Sequence, residues 1–277
     1  MAWVTPITSW VPSDTVADTD LNRIEGNTVV NRVPPAGFIY GCEMSYTQGG
    51  FAWDINFTAG LAVDSGNDYR IEPGAVVKEV INATGLDYAA FVAGTGNGGV
   101  ASGVAAIADG NWLHAFLVGQ SGDDTKYIFG FDDDIAASNL LSDAGVAWDI
   151  YRRVGSIQVE SVGGGKFGIR EFHQNGDLFE FKEADLSSAT LFDDAEHDLS
   201  VQVPPDVIIQ AYLSTSITGT STQVKLYSGN LSDVNAFLRL PVVTTDTSGR
   251  IHYTIDSAYS GVVYVYVFSY IDNRGKV

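Results

Sequence analysis

A mainly β protein is what this sequence predicts: an antiparallel β-sandwich of jelly-roll type, preceded by a short N-terminal α-helical segment. Three observations carry the expectation. From Gly37 onward, short apolar and aromatic runs alternate with glycine- and aspartate-rich turn signals. The composition sets 30 glycines and 13 tyrosines against two methionines, a balance that suits many strands joined by tight turns. Helical spacing stands out in one stretch ahead of them, "DTVADTDLNRIEGNTVVNRVPP" at residues 14–35.

In that stretch Asp18 and Asp20 place acid in a first turn, where the helix dipole favours it. Leu21, Ile24 and Thr28 then share one face. Gly26 costs roughly 1 kcal/mol relative to alanine, and Val29 and Val30 fit a helix poorly. Pro34 and Pro35 end it, since proline drives the residue before it out of helix. The helix thus covers about residues 18–32. At that length it is marginal alone in water and has to pack on its own β-domain, on sister subunits or on a larger particle. The chain divides into a segment 1–35 and a β-domain 36–277, with 183–200 as the candidate point of subdivision or a long surface loop.

Strand-like runs follow in order: "GFIYGCEMSY", "GGFAWDINFTAGLAV" and "YRIEPGAVVKEVI". "GVASGVAAI" and "WLHAFLVG" read as a hairpin closed at Asp109-Gly110, the dipeptide a type I′ turn prefers. "KYIFGF", "RRVGSIQVES", "GKFGIREFHQ", "GDLFEFKE" and "DVIIQAYLSTSI" continue the pattern, and residues 132–145 read as a polar loop with a helical turn. In the last run Val262, Tyr264, Tyr266, Phe268 and Tyr270 share one face, and Val263, Val265, Val267 and Ser269 the other. Neither face is polar, so both are covered. One reading is a central strand between two layers. The other sets Tyr264, Tyr266, Phe268 and Tyr270 against another subunit, since tyrosine is enriched at interfaces.

The formal charge of -19, from 15 Lys and Arg against 34 Asp and Glu, speaks against nucleic acid and anionic membrane surfaces as partners. The longest apolar run, "VVYVYVF", is far short of the about 20 residues that span a bilayer, so membrane insertion is not expected. Cys42 stands alone, which excludes an internal disulfide and a thiolate zinc site. "MAWVTPITSW" lacks the basic-then-apolar pattern of a secretory signal, and synthesis in a cytoplasm is expected.

Catalytic and cofactor motifs are weak. "GTGNGG" at 94–99 matches a dinucleotide fingerprint without the helix and βα units that give it meaning. "GGGK" at 163–166 has Glu160 where a phosphate loop needs glycine and Phe167 where it needs Ser or Thr. His114, His173, His197 and His252 are scattered; His114, among Trp112, Leu113, Ala115 and Phe116, reads as a hydrogen-bonded structural residue. Asp132, Asp133 and Asp134 lack the alternating spacing of a calcium loop and read as a solvated loop. Acid pairs arise by chance among 34 carboxylates, and no serine sits in a G-x-S-x-G elbow. No catalytic residue, cofactor or metal is expected.

Taken in order, "ADTDLNRIEGNT", "FTAGLAVDSGNDYRIEPG", "GTGNGGV", "NWLHAFLVGQS", "YIFGFDDDIAASNLL", "WDIYRRVGSIQV" and "GIREFHQNGDLFEF" resemble segments of the appendage proteins of tailed bacteriophages and prophages. The collinearity runs from about Gly37 to Lys182, with an echo at Val203-Pro204-Pro205; Leu113 stands where a tyrosine is usual. The resemblance implies a non-enzymatic structural component of a virion, made in the host cytoplasm. A tail fibre or tail-tip appendage comes first, and a capsid decoration protein or head fibre second. On this reading segment 1–35 is an adaptor, with Trp3, Trp10, Leu21 and Ile24 as its docking surface; the alternative is that the helix caps its own sandwich. Expected partners are other virion proteins, further copies of the chain (a trimer first) and a host-surface glycan or protein met by outward loops. A glycan-degrading depolymerase would be expected to show a repeating β-helix, and no repeat is visible. A free cellular lectin is a further alternative.

Overall fold

The computed structural model describes residues 35–191, 197–200, 203–219, 224–227, 242–248, 250–255 and 261–274. The expected helix at about 18–32, with Trp3, Trp10, Leu21 and Ile24, lies outside them. The strands run β1 (Ile39–Gly41), β2 (Met44–Gly49), β3 (Ala52–Phe57), β4 (Gly60–Val63), β5 (Arg70–Ile71), β6 (Val76–Ile81), β7 (Asn97–Gly98), β8 (Trp112–Gln120) and β9 (Asp123–Asp132). After helix α1 (Ser138–Ala144) come β10 (Ile150–Gly163), β11 (Lys166–Ile169), β12 (Phe172–Asn175), β13 (Leu178–Leu191) and β14 (His197–Ser200). The last are β15 (Gln210–Gly219), β16 (Val224–Tyr227), β17 (Val242–Thr244), β18 (Arg250–Ile255) and β19 (Gly261–Ile271).

These form sheets ordered β1-β4-β5, β2-β3-β6-β7, β11-β10-β8-β9, β12-β13-β19-β15-β17 and β14-β18-β16. Neighbours pair antiparallel except β6 and β7, which pair parallel. The mainly β, antiparallel class is therefore as the sequence predicts. In β3, Trp53, Ile55 and Phe57 are buried while Ala52, Asp54 and Asn56 are half-exposed, the period-2 signature of a strand with one wet face. In β8 every residue from Leu113 to Gly119 is buried, because its sheet is covered on both sides. One side carries Leu113, Ala115 and Leu117 into the main core, where Phe57 stacks on Phe129 with ring centres 4.2 Å apart. The other carries Phe116, Val118 and Ile128 onto Leu140 of α1. The main core is continuous from Ile39 to Tyr270.

One of four local expectations holds in full and three meet the structure only in part. The helical turn in 132–145 is there, as α1, closed by Gly145 at φ 93. The hairpin at Asp109-Gly110 keeps its turn but not its first arm: Val100 makes only isolated bridges, with Ala90 and Phe131. Both edges of β8 are taken by β9 and β10, so the turn binds β10 instead, through Gly110 N to Val159 O (2.9 Å) and Ser161 N to the Asp109 carboxylate (2.8 Å). The acidic stretch from 183 is strand rather than loop as far as Leu191, because β13 runs on along β19.

The fourth concerns β19. It is a central strand, between β13 and β15. Against β15 its pairing passes from Val267 directly to Ser269, leaving Phe268 as a bulge, and the ladder with β13 breaks at the same place, Ser269 pairing Glu180 and Val267 pairing Asp185. A bulge shifts the side-chain alternation by one, so Tyr270 leaves the face it was expected to share. It is 1% exposed and stacks on Phe179, ring centres 5.1 Å apart and 3° from parallel. Tyr266 and Phe268 are half-buried, with Phe268 6.2 Å from Tyr212, and the side chain of Tyr264 lies outside the described residues. The expected interface of Tyr264, Tyr266, Phe268 and Tyr270 is thus not one surface: Tyr270 belongs to the core.

Candidate functional site

Two arrangements gather polar chemistry. The first is buried. His114 on β8 faces Ser156 on β10 in register, Nδ1 and Oγ being 2.9 Å apart. Arg153 Nη1 donates to the same hydroxyl (3.0 Å) and to Asp272 Oδ2 (2.6 Å), while Nη2 grips Asp272 Oδ1. His114 Nδ1 and Ser156 Oγ share one hydrogen bond whose donor depends on the imidazole tautomer, and His114 Nε2 is buried without a partner among the described residues. Asp272 Oδ1 also accepts Arg274 N (2.8 Å), and Arg274 reaches Asp177 Oδ1 (2.8 Å) and Gly41 O (3.0 Å). Tyr270 OH donates to Ser156 O at 3.3 Å.

Arg152 is buried too and donates to Gly37 O at 2.9 Å. A bulge between Arg153 and Gly155 makes room for this crowding. A Cβ at Gly155 would lie 2.5 Å from Met44 Cε and 2.7 Å from Phe179 Cζ, so a side chain there has to displace both.

The electrostatics follow from burial. Burial works to raise the Asp272 carboxyl, but the Arg153 guanidinium and its hydrogen bonds hold it below the usual range. Burial, and next the Arg153 cation, push His114 down to about 4. An unfolded histidine takes its proton near pH 6.5, so the unfolded chain binds more protons between pH 6.5 and 4. Stability contributed by the neutral imidazole should therefore be present above pH 6.5 and fade by about 3 kcal/mol as the pH falls towards 4. Urea melts at pH 7 and pH 4.5 check this, and His114→Gln should flatten the difference. A serine touching a histidine can be a nucleophile with its base, but this pair is sealed in the core and backed by a cation where a triad has a carboxylate. Its work is to fasten β8, β10 and the segment after β19 to one another.

The second arrangement is a surface cleft of about 490 Å³. Gln158, Glu160 and Ser161 of β10 line it with Arg170, Glu171, Lys182, Glu183 and the Asp109 turn. Arg170 lies 3.8 Å over the Phe181 ring and donates to Gln158 Oε1 (3.0 Å) and Glu183 O (2.7 Å). Lys182 pairs with Glu171 and keeps that carboxyl below its usual range, while burial raises Glu160. The cleft can offer hydrogen bonds of both polarities to a polar partner. Its residues had no signal in the sequence, because strand register alone brings 109, 158–161, 170–171 and 182–183 together.

Of the three acids read as a solvated loop, Asp132 is instead buried, its carboxylate accepting Asn139 Nδ2 (2.9 Å) and Leu140 N (2.8 Å) at the start of α1. Among the described residues no group of His, Cys, Asp and Glu is arranged to hold a metal ion. Cys42 is buried, and burial pushes its thiol up to about 12.

No protein-family model, curated protein or solved structure matches this chain.

Leu113 and His114 of β8, Asp132 of β9, Arg152 and Arg153 of β10, Gln174 of β12 and Phe179 of β13 are all buried. Gln174 accepts Met44 N at 2.7 Å, joining β12 to β2. These residues are part of the packed interior and its hydrogen-bond network.

Proposed function

We propose that the chain is a non-enzymatic structural component of a tailed-phage virion, a tail fibre or tail-tip appendage whose β-domain is a jelly-roll-like sandwich. The observation that supports this best is the burial of the residues behind the resemblance: they build a rigid scaffold and leave the loops free to vary. Recognition sites are usually carried by loops on such scaffolds. Segment 1–35 is then the adaptor to the particle, with Trp3, Trp10, Leu21 and Ile24 as its apolar contacts. Trimerisation follows the same resemblance, and the partners are other virion proteins and a host-surface glycan or protein. A capsid decoration protein or head fibre is the second reading, and the acidic charge of -19 suits both as multivalent modules kept soluble at high copy number.

Gold-labelled antibody against the purified protein, imaged on virions from the source strain, tests both. Label at the tail end is the expected result, and label over the head moves the assignment to the second reading. Particles without label overturn the proposal. Light scattering of the full chain should give a trimer mass; a monomer would remove the fibre's assembly and leave the decoration reading.

A further inference from the structure

Lys78 sits mid-strand in β6, on the face it shares with Val76 and Val80, and is fully buried. Its ammonium donates to Val92 O at 2.5 Å and, at longer range, to Gly98 O at 3.4 Å, and stands 5.0 Å from the centre of the Phe91 ring. Around it, β3 offers Ile55 and β7 offers Asn97 in register, and Gly99 lies close to its Cβ. The acids next along the ladder, Asp54 and Glu79, pair with each other and so stand on the sheet's opposite face. Asp132, beyond Phe131, is occupied by Asn139 and Leu140 N. No carboxylate among the described residues pairs with the ammonium, and burial by itself lowers it to about 8.

Both acceptor carbonyls belong to one glycine-rich segment, 92–98, an exposed loop that ends in the short edge strand β7, in which Gly94 and Gly96 take φ of 97° and 73°. The loop is strapped along the edge of β6 by Gly96 N to Val77 O (2.8 Å), Gly99 N to Glu79 O (2.8 Å) and Val77 N to Thr95 Oγ1 (3.0 Å). Lifting it would hydrate the amine beneath. Hydration is worth far more to an ammonium than to a neutral amine.

We propose that the loop 92–98 is a proton-linked latch over Lys78, lifting from the edge of β6 when the buried amine carries a proton and settling when the amine is neutral. The sign is set by linkage: the closed form binds the proton less tightly than the open form, so raising the pH closes the latch. Opening uncovers the backbone of β6, the kind of edge to which an extended strand of another chain can add. The proposal stands apart from the virion reading.

A nitroxide on Ala93→Cys reads the latch directly, because the Ala93 side chain is exposed and Cys42 is buried and unreactive. Between pH 6.5 and 10.5 the mobile spectral component should shrink at least about twofold, with its midpoint between about 8 and 10.5. Lys78→Met in the labelled chain should abolish the titration, and Lys78→Arg should hold the low-pH spectrum throughout. The proposal is overturned by a flat titration of the parent labelled chain, by mobility that rises with pH, or by an unchanged titration in Lys78→Met. The parent titration decides the matter even where a variant does not fold.

Discussion

Asp272→Asn should destabilise the full chain by about 3–5 kcal/mol in urea denaturation at pH 7, the usual cost of removing one partner of a buried ion pair. The argument rests on what is left behind. Arg153 is 4% exposed and its guanidinium is forked onto both Asp272 oxygens; with asparagine there, a buried cation loses its counter-charge. The damage reaches further than one pair, since Asp272 also holds Arg274 N, and Arg153 orients Ser156 against His114. The double variant Arg153→Met, Asp272→Leu should recover a large part of the loss, because apolar residues of similar volume often replace a buried pair without penalty. An Asp272→Asn protein within about 1 kcal/mol of the parent would show that the pair is not the fastener described here.

Tyr270→Ala should cost a similar amount, about 3–5 kcal/mol, as large-to-small changes of buried aromatic residues do. Its ring is stacked on Phe179 and lies 6.3 Å from Trp112, and its hydroxyl spans to the backbone of Ser156. Tyr266→Ala, on a half-buried position of the same strand, should cost about 1 kcal/mol or less by the same measurement. The contrast between the two variants tests the bulge at Phe268. Equal, small effects would mean that all the tyrosines of β19 share one outer face after all.

That bulge shows where sequence reading reaches its end. Strand existence was legible over most of 37–182, since period-2 alternation and turn chemistry are local properties, and β3 displays them plainly, whereas "GVASGVAAI" at 99–107 reads as a strand and is none. The central place of β19 was legible too, from the absence of a polar face. The bulge was not, because it answers to the register of β13 and β15 and has no signature of its own in "VVYVYVFSY". The polar network was half legible. His114 as a structural histidine follows from its apolar neighbours, but Asp272 lies 119 residues from Arg153, and nothing local joins them. Lys78 had a signal that a closer reading would have used: in "VVKEVI" it falls on the same side as Val76 and Val80, a charge on an apolar face. The cleft had none.

The fastening of Arg274 to Gly41 joins residues 233 positions apart, and Met44 waits on Gln174, 130 positions away. Folding speed falls as contacts become non-local, so this domain belongs among slow folders, whose early strands collapse before their partners exist. While a ribosome is still adding β15 and β19, the strands from β1 to β12 can form sheets, yet Arg153 has no counter-ion and β13 has no β19 along its flank. Such half-built β-structures associate readily with one another. The excess of 34 acidic over 15 basic residues then acts in time as well as in space, holding unfinished chains apart by mutual repulsion until the last strand arrives.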